Sequence, residues 1–168
     1  MSEMKKVGGL AGLVGAGAAA ALLLLIPKEE SGGKKYHDAY LDIVGVATIC
    51  DGLTRYDDGT RVRMGDHRTE AQCQALLDAE LAKTAKAVLD CTPNLKGHDN
   101  QTVAAVSLAY NIGTAGYCRS SVDRHFDAGR WRQGCDAMLL WNKAGGRVIK
   151  GLDARRKRER ALCLRGLS

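Results

Sequence analysis

A run of twenty uncharged residues, Val7 to Ile26 (VGGLAGLVGAGAAAALLLLI), constrains this chain more than any other stretch. A helix of that length, at about 1.5 Å per residue, covers roughly 30 Å, the thickness of a bilayer's hydrocarbon core. Five of the twenty are Gly and six are Ala. Each replaces a larger apolar side chain, so little transfer energy holds such a helix in lipid, and glycine gains conformational freedom on leaving a helix. Lys5 and Lys6 precede the run, favouring a cytoplasmic amino terminus and an exported remainder. A permanent anchor, a cleaved signal peptide and a weak signal anchor that later leaves the bilayer are all open. The composition favours the last. The apolar run exceeds a usual signal-peptide core and no clear A-x-A site follows the leucines. Gly8 and Gly12 also make a small-xxx-small spacing that could pair helices.

All six cysteines lie beyond this run: Cys50, Cys73, Cys91, Cys118, Cys135 and Cys163. An even number of Cys after an export signal argues for disulfides in an oxidising compartment. No CxxC occurs and the four His are scattered, so a zinc site is not expected. Six Cys allow fifteen pairings. Neighbourhood in the chain suggests Cys50–Cys73, Cys91–Cys118 and Cys135–Cys163. Each would close a loop of ~23–28 residues, worth roughly 3–4 kcal/mol in the chain-entropy model.

The net charge is +6, and residues 1–30 carry three basic and three acidic side chains, so the excess belongs to the exported part. A basic surface suits polyanions such as a cell wall. Nucleic acid is not expected as a partner, because the domain is exported and has few aromatics on which to stack bases. The densest cluster, Arg155-Arg156-Lys157-Arg158-Glu159-Arg160, reads as one solvated helix face.

Along the chain, PKEESGGKK reads as a hinge. Residues 43–64 read as a small β region: Ile43, Val44, Val46, Thr48 and Ile49 favour strand, and Asp57-Asp58-Gly59 a hairpin turn. Thr69 to Gln72 matches a capping box opening a long helix. A second helix begins near Asp99 or Asn100 and stops before Gly113. Ser120 or Ser121 caps a short helix ending at Gly129. Another helix runs from Trp131 to about Asn142 and ends at Gly145-Gly146; the last spans roughly Asp153 to Leu164. The expected organisation is an anchor and hinge over 1–30 and one α+β domain over 31–168.

Asp42 and Thr48 stand out between hinge and hairpin. Six residues apart, they would share a face of a continuous strand, while a bend at Gly45 would place them at a concave corner. A carboxylate and a hydroxyl facing one pocket could position and deprotonate a water. The stretch Asp42-Ile-Val-Gly-Val-Ala-Thr48, with Tyr40 before it, resembles the active-site segment of bacteriophage lysozymes, the muramidase endolysins. Ser107-Leu-Ala-Tyr-Asn-Ile-Gly113 followed by Cys118-Arg-Ser is similar to their central-helix signature. Trp141-Asn-Lys-Ala-Gly-Gly146, Gly151-Leu and the Arg-rich run to Cys163-Leu164 resemble their C-terminal signature. The weak N-terminal helix resembles that of signal-arrest-release endolysins.

The resemblance implies a lysozyme-like fold with a β-hairpin lobe, a helical lobe and a cleft. It implies hydrolysis of the β-1,4 bond between N-acetylmuramic acid and N-acetylglucosamine in peptidoglycan, with no cofactor and no metal. It implies an enzyme held on the host inner membrane through residues 7–26, then released to the periplasm as a monomer to lyse the host. The family uses a Glu acid, an Asp and a Thr. Asp42 and Thr48 match the last two, but the family's Glu lies nine residues before its Asp, where this chain has Gly33. Either Glu30, or less readily Glu29, serves as acid through a loop of about three residues, or the acid is lost and the chain is an inactive peptidoglycan-binding or regulatory protein.

Overall fold

A computed structural model describes residues 9–168. The apolar run is not one continuous helix. Its first two residues, Val7 and Gly8, lie outside the described residues. Helix α1 (Leu10–Val14) ends at Gly15, whose φ of +87° breaks the helical path, and α2 (Ala16–Ser31) begins anew. Leu10, Val14, Ala18, Leu22 and Ile26 recur every fourth residue and are buried, whereas Leu24 is 78% exposed. The run thus has a one-sided apolar stripe, the pattern of a helix packed on protein. No helix among the described residues is long and apolar enough to cross a membrane.

The expected hinge is also largely helical. α2 runs through Pro27 to Ser31, and only then does the chain turn, at Gly32 (φ +63°) and Gly33 (φ +82°). The Gly33 N–H donates to Pro27 O, six residues back, at 3.1 Å, and the Ser31 hydroxyl donates to the same carbonyl at 3.0 Å. The left-handed backbone at Gly32 and Gly33 ends the helix and selects glycine.

The chain divides into two compact units, with the divisions inside α2 and inside α3 (Glu70–Cys91). In the unit Leu23–Leu81, strand β1 (Tyr36–Leu41) pairs antiparallel with β2 (Ala47–Cys50), with Tyr40 opposite Thr48 and Leu41 opposite Ala47. The expectation of strand at Ile43 and Val44 is corrected: both lie at the exposed hairpin tip. Asp42 Oδ1 accepts from the N–H of Val44 and of Val46, and Gly45 turns at φ +79°. This local capture of backbone donors outweighs β-branched propensity. The second expected turn forms as read: Tyr56 N–H donates to Thr60 O, Gly59 sits at φ +86°, and Arg55 bridges Arg61. Ile49, Leu53 and Val62 form a small core with the Cys50–Cys73 disulfide. Thr69 and Gln72 close the capping box reciprocally at 2.8 and 3.2 Å, starting α3.

The other unit takes in residues up to Leu22 and Ala82–Ser168. Its centre is α4 (Asp99–Ile112), buried continuously from Gln101 to Ala109 and ended by Gly113. Around it come α5 (Thr114–Cys118), α6 (Ser121–Asp127), capped by the Ser120 hydroxyl, and α7 (Trp131–Ala137). α7 gives way to a 3-10 turn at Met138–Leu140, earlier than expected. Gly145 and Gly146 turn a two-residue hairpin between β3 (Lys143–Ala144) and β4 (Arg147–Val148), and α8 (Lys150–Cys163) packs on α4. The disulfides Cys91–Cys118 and Cys135–Cys163 tie these helices.

The basic cluster of α8 is not a solvated face. Arg155, Arg156 and Glu159 are buried, while Lys157 and Arg158 are exposed. Glu159 pairs with Arg155 at 3.1 Å and Arg156 at 2.8 Å and accepts from the Ser107 hydroxyl on α4 at 2.7 Å. Full pairing is what permits charge there; removing one partner would leave the others buried and uncompensated.

Candidate active site

The hairpin brings Asp42 and Thr48 together through one peptide group. Asp42 N–H donates to Val46 O at 3.0 Å, and the Thr48 hydroxyl donates to the same oxygen at 3.0 Å. In return the Val46 N–H donates to Asp42 Oδ1 at 2.8 Å. The expected common face arises by register, not by a continuous strand. Tyr40 lies opposite Thr48, so these two share a face, and Asp42 follows two residues after Tyr40.

Each group is left with one specific capacity. Asp42 spends Oδ1 on two backbone donors, and Oδ2 has no hydrogen-bond partner among the described residues. The Thr48 proton is committed to Val46, so its oxygen can still accept. Thr48 is only 3% exposed. Burial, with Tyr36 and Asp42 close by, pushes the Tyr40 phenol up, so Tyr40 stays neutral beside the carboxylate.

Glu30 belongs to a different element: it stands exposed in the last turn of α2, immediately before the glycine turn. Glu29 is partly buried in that turn. Gly33, at the position where the family's spacing places its acid, has a left-handed backbone that disfavours any L side chain, although a Cβ there would meet no described atom within 4 Å.

Other groups of this unit escaped the sequence reading. Asp51 is 1% exposed and neither carboxylate oxygen has a hydrogen-bond partner among the described residues; burial raises its pKa against the opposing pull of Lys35. Lys35 and His37 both pair with Glu70, and together they hold the Glu70 carboxyl below its ordinary range. The role of Val46 had a signal, since an Asp followed by a glycine turn is the pattern of a side chain that bonds its own backbone.

A hairpin carrying a carboxylate with a hydroxyl, in a mainly helical chain, defines the lysozyme-like α+β class. The family model for phage lysozyme matches residues 30–159, and the chain belongs to that family. A SAR-endolysin of Enterobacteria phage P21 is 38% identical over 129 residues, 76% of this chain and 74% of that protein. Among solved structures, an endolysin from Escherichia coli O157:H7 phage FAHEc1 superposes with a TM-score of 0.73 at 30% identity, covering 87% of this chain and 92% of that one. A lysozyme of phage P22 gives 0.71 at 32% identity, with 89% and 96% covered.

Proposed function

We propose that this chain is a phage endolysin that hydrolyses the β-1,4 bond between N-acetylmuramic acid and N-acetylglucosamine, lysing the host. The observation that carries the reading is the Asp42–Val46–Thr48 arrangement within a chain of the phage lysozyme family. Glu30 is assigned as the acid that protonates the leaving glycosidic oxygen. The family match begins at Glu30, and the turn over Ser31 to Gly33 supplies the extra residues that separate it from Asp42. Asp42 Oδ2 faces the developing oxocarbenium charge or takes a proton from water, and Thr48 accepts that water's second hydrogen. A positioned water opposite the acid gives inversion at the anomeric carbon.

The route to the wall is part of the same proposal. Residues 7–26 serve as a weak anchor in the inner membrane, and the described conformation, with the Leu10–Ile26 stripe buried, is that of the chain after it has left the bilayer, a periplasmic monomer. The relatives of SAR-endolysin type support this reading. The test is turbidity loss of outer-membrane-permeabilised bacteria exposed to the purified chain, with mass analysis of the fragments. Muramic acid at the new reducing ends is expected. Lysis through cleaved peptide bonds, or none at all, overturns it.

A further inference from the structure

The unit Leu23–Leu81 contains a cationic hollow of about 400 Å³ beside the catalytic hairpin, lined among others by Val46, Ala47, Thr54, Arg55, Arg61 and Val62. Among the described residues, no acidic side chain lines it. Arg55 and Arg61 face each other across an isolated antiparallel bridge, a placement in which like charges repel. Arg55 Nη1 is held on Gly59 O at 3.1 Å. The Arg61 guanidinium has no hydrogen-bond or ion-pair partner among the described residues. Arg61 also borders a neighbouring hollow that carries Asp57, Asp58 and Asp66; there Asp58 accepts from Thr60, Asp66 accepts from the Tyr56 hydroxyl, and Arg68 stacks 4.2 Å above the Tyr56 ring. The hollow beside the hairpin instead holds two guanidiniums and, among its described lining residues, no counter-charge.

We propose that Arg55 and Arg61 bind carboxylates of the stem peptide that peptidoglycan carries on its muramic acid. The proposal rests on the muramidase reading and adds a specificity site to it. Val46 links the two places: it holds Asp42 and Thr48 and also lines the hollow. A stem of three to five residues reaches roughly 10–18 Å from its sugar at about 3.3–3.6 Å per residue. Such stems carry free carboxylates on their glutamyl and diamino-acid residues, and a guanidinium fork accepts a carboxylate bidentately. An anion between the two arginines turns their repulsion into a shared attraction.

The test compares the full chain with Arg55→Gln, Arg61→Gln and the double variant, all exposed positions. Rates are measured on intact sacculi and on glycan strands stripped of peptide by an amidase. Binding of the tripeptide L-Ala-γ-D-Glu-diaminopimelate is followed separately by NMR. The double variant is expected to lose about tenfold in kcat/KM on intact sacculi, mainly through KM, and to stay within about twofold on stripped glycan. Tripeptide shifts seen with the parent should vanish. Equal losses on both substrates, no loss on either, or unchanged tripeptide binding overturns the proposal, as does arginine-dependent binding of phosphatidylglycerol vesicles without binding of the tripeptide. If the parent cleaves neither substrate, the muramidase reading fails by itself, while arginine-dependent tripeptide binding still upholds the hollow.

Discussion

Asp42 and Thr48 meet at one carbonyl oxygen, that of Val46, which accepts the backbone N–H of the first and the hydroxyl of the second. The arrangement orients the Thr48 oxygen as an acceptor, because its only proton is taken. It also keeps the carboxylate of Asp42 fixed by two backbone donors on a single oxygen.

Thr48→Val therefore removes the acceptor without orphaning Val46 O, which keeps the Asp42 N–H. Stability should fall by about 1 kcal/mol, the worth of one hydrogen bond. Lysis should fall by about 10²-fold, as for a misplaced reactant. Thr48→Ser, which keeps the hydroxyl, should recover most of the activity. Kinetics with denaturant melts of both variants check this.

Asp51 should make stability depend on pH. Its folded-state pKa is raised by burial above the unfolded value of about 3.9, so the folded chain holds that proton more tightly. Its contribution is most favourable below that value and is lost as pH rises through the folded-state pKa. Asp51→Asn cannot titrate, so its advantage over the parent should widen from about pH 4 upward. It should reach about 1–3 kcal/mol at neutral pH, the scale of an unpaired buried polar group. Urea melts at pH 4 and pH 7 measure the gap.

The N-terminal stripe predicts which substitutions alter membrane release alone. Gly17, Ala20 and Ala21 are exposed, so leucines there leave the buried stripe intact. Each added CH₂ should raise lipid affinity by up to ~0.8 kcal/mol. The triple variant should remain in the membrane fraction where the parent reaches the soluble periplasm. Identical fractionation would remove the release step from the account.

Oxidation should stabilise the fold. Thiol titration of the denatured, non-reduced chain should give near zero, since all six cysteines are paired. Replacing Cys50 and Cys73 by Ala should cost about 3 kcal/mol, because their loop constrains the unfolded chain.

Much of the fold was legible where one local interaction decides it. The Thr69–Gln72 box, the Asp57-Asp58-Gly59 turn, the limits of α4 and the three disulfides all follow from neighbours in sequence. The misreadings have two different causes. Ile43 and Val44 look like strand, but Asp42 takes the backbone donors that a strand would use. Arg155 and Arg156 look solvated until Glu159 and Ser107 meet them across elements distant in sequence. The break at Gly15 and the helix continuing through Pro27 also depart from the sequence reading of one helix over 7–26 followed by a hinge. In the site, the Asp42–Thr48 pair and the candidate loop between Glu30 and Asp42 were both legible by motif, but the left-handed turn at Gly32 and Gly33 and the Val46 carbonyl that joins Asp42 to Thr48 were not.

The most direct test of the catalytic assignment is Glu30→Gln in the turbidity assay, beside Asp42→Asn. Gln keeps the size and polarity of Glu30 but carries no transferable proton, and Asn at 42 still accepts from Val44 and Val46. Both variants should fold as the parent by circular dichroism, and both should lose about 10²–10⁴-fold in lytic rate. Lysis by Glu30→Gln at the parental rate would contradict the assignment of Glu30 as the acid.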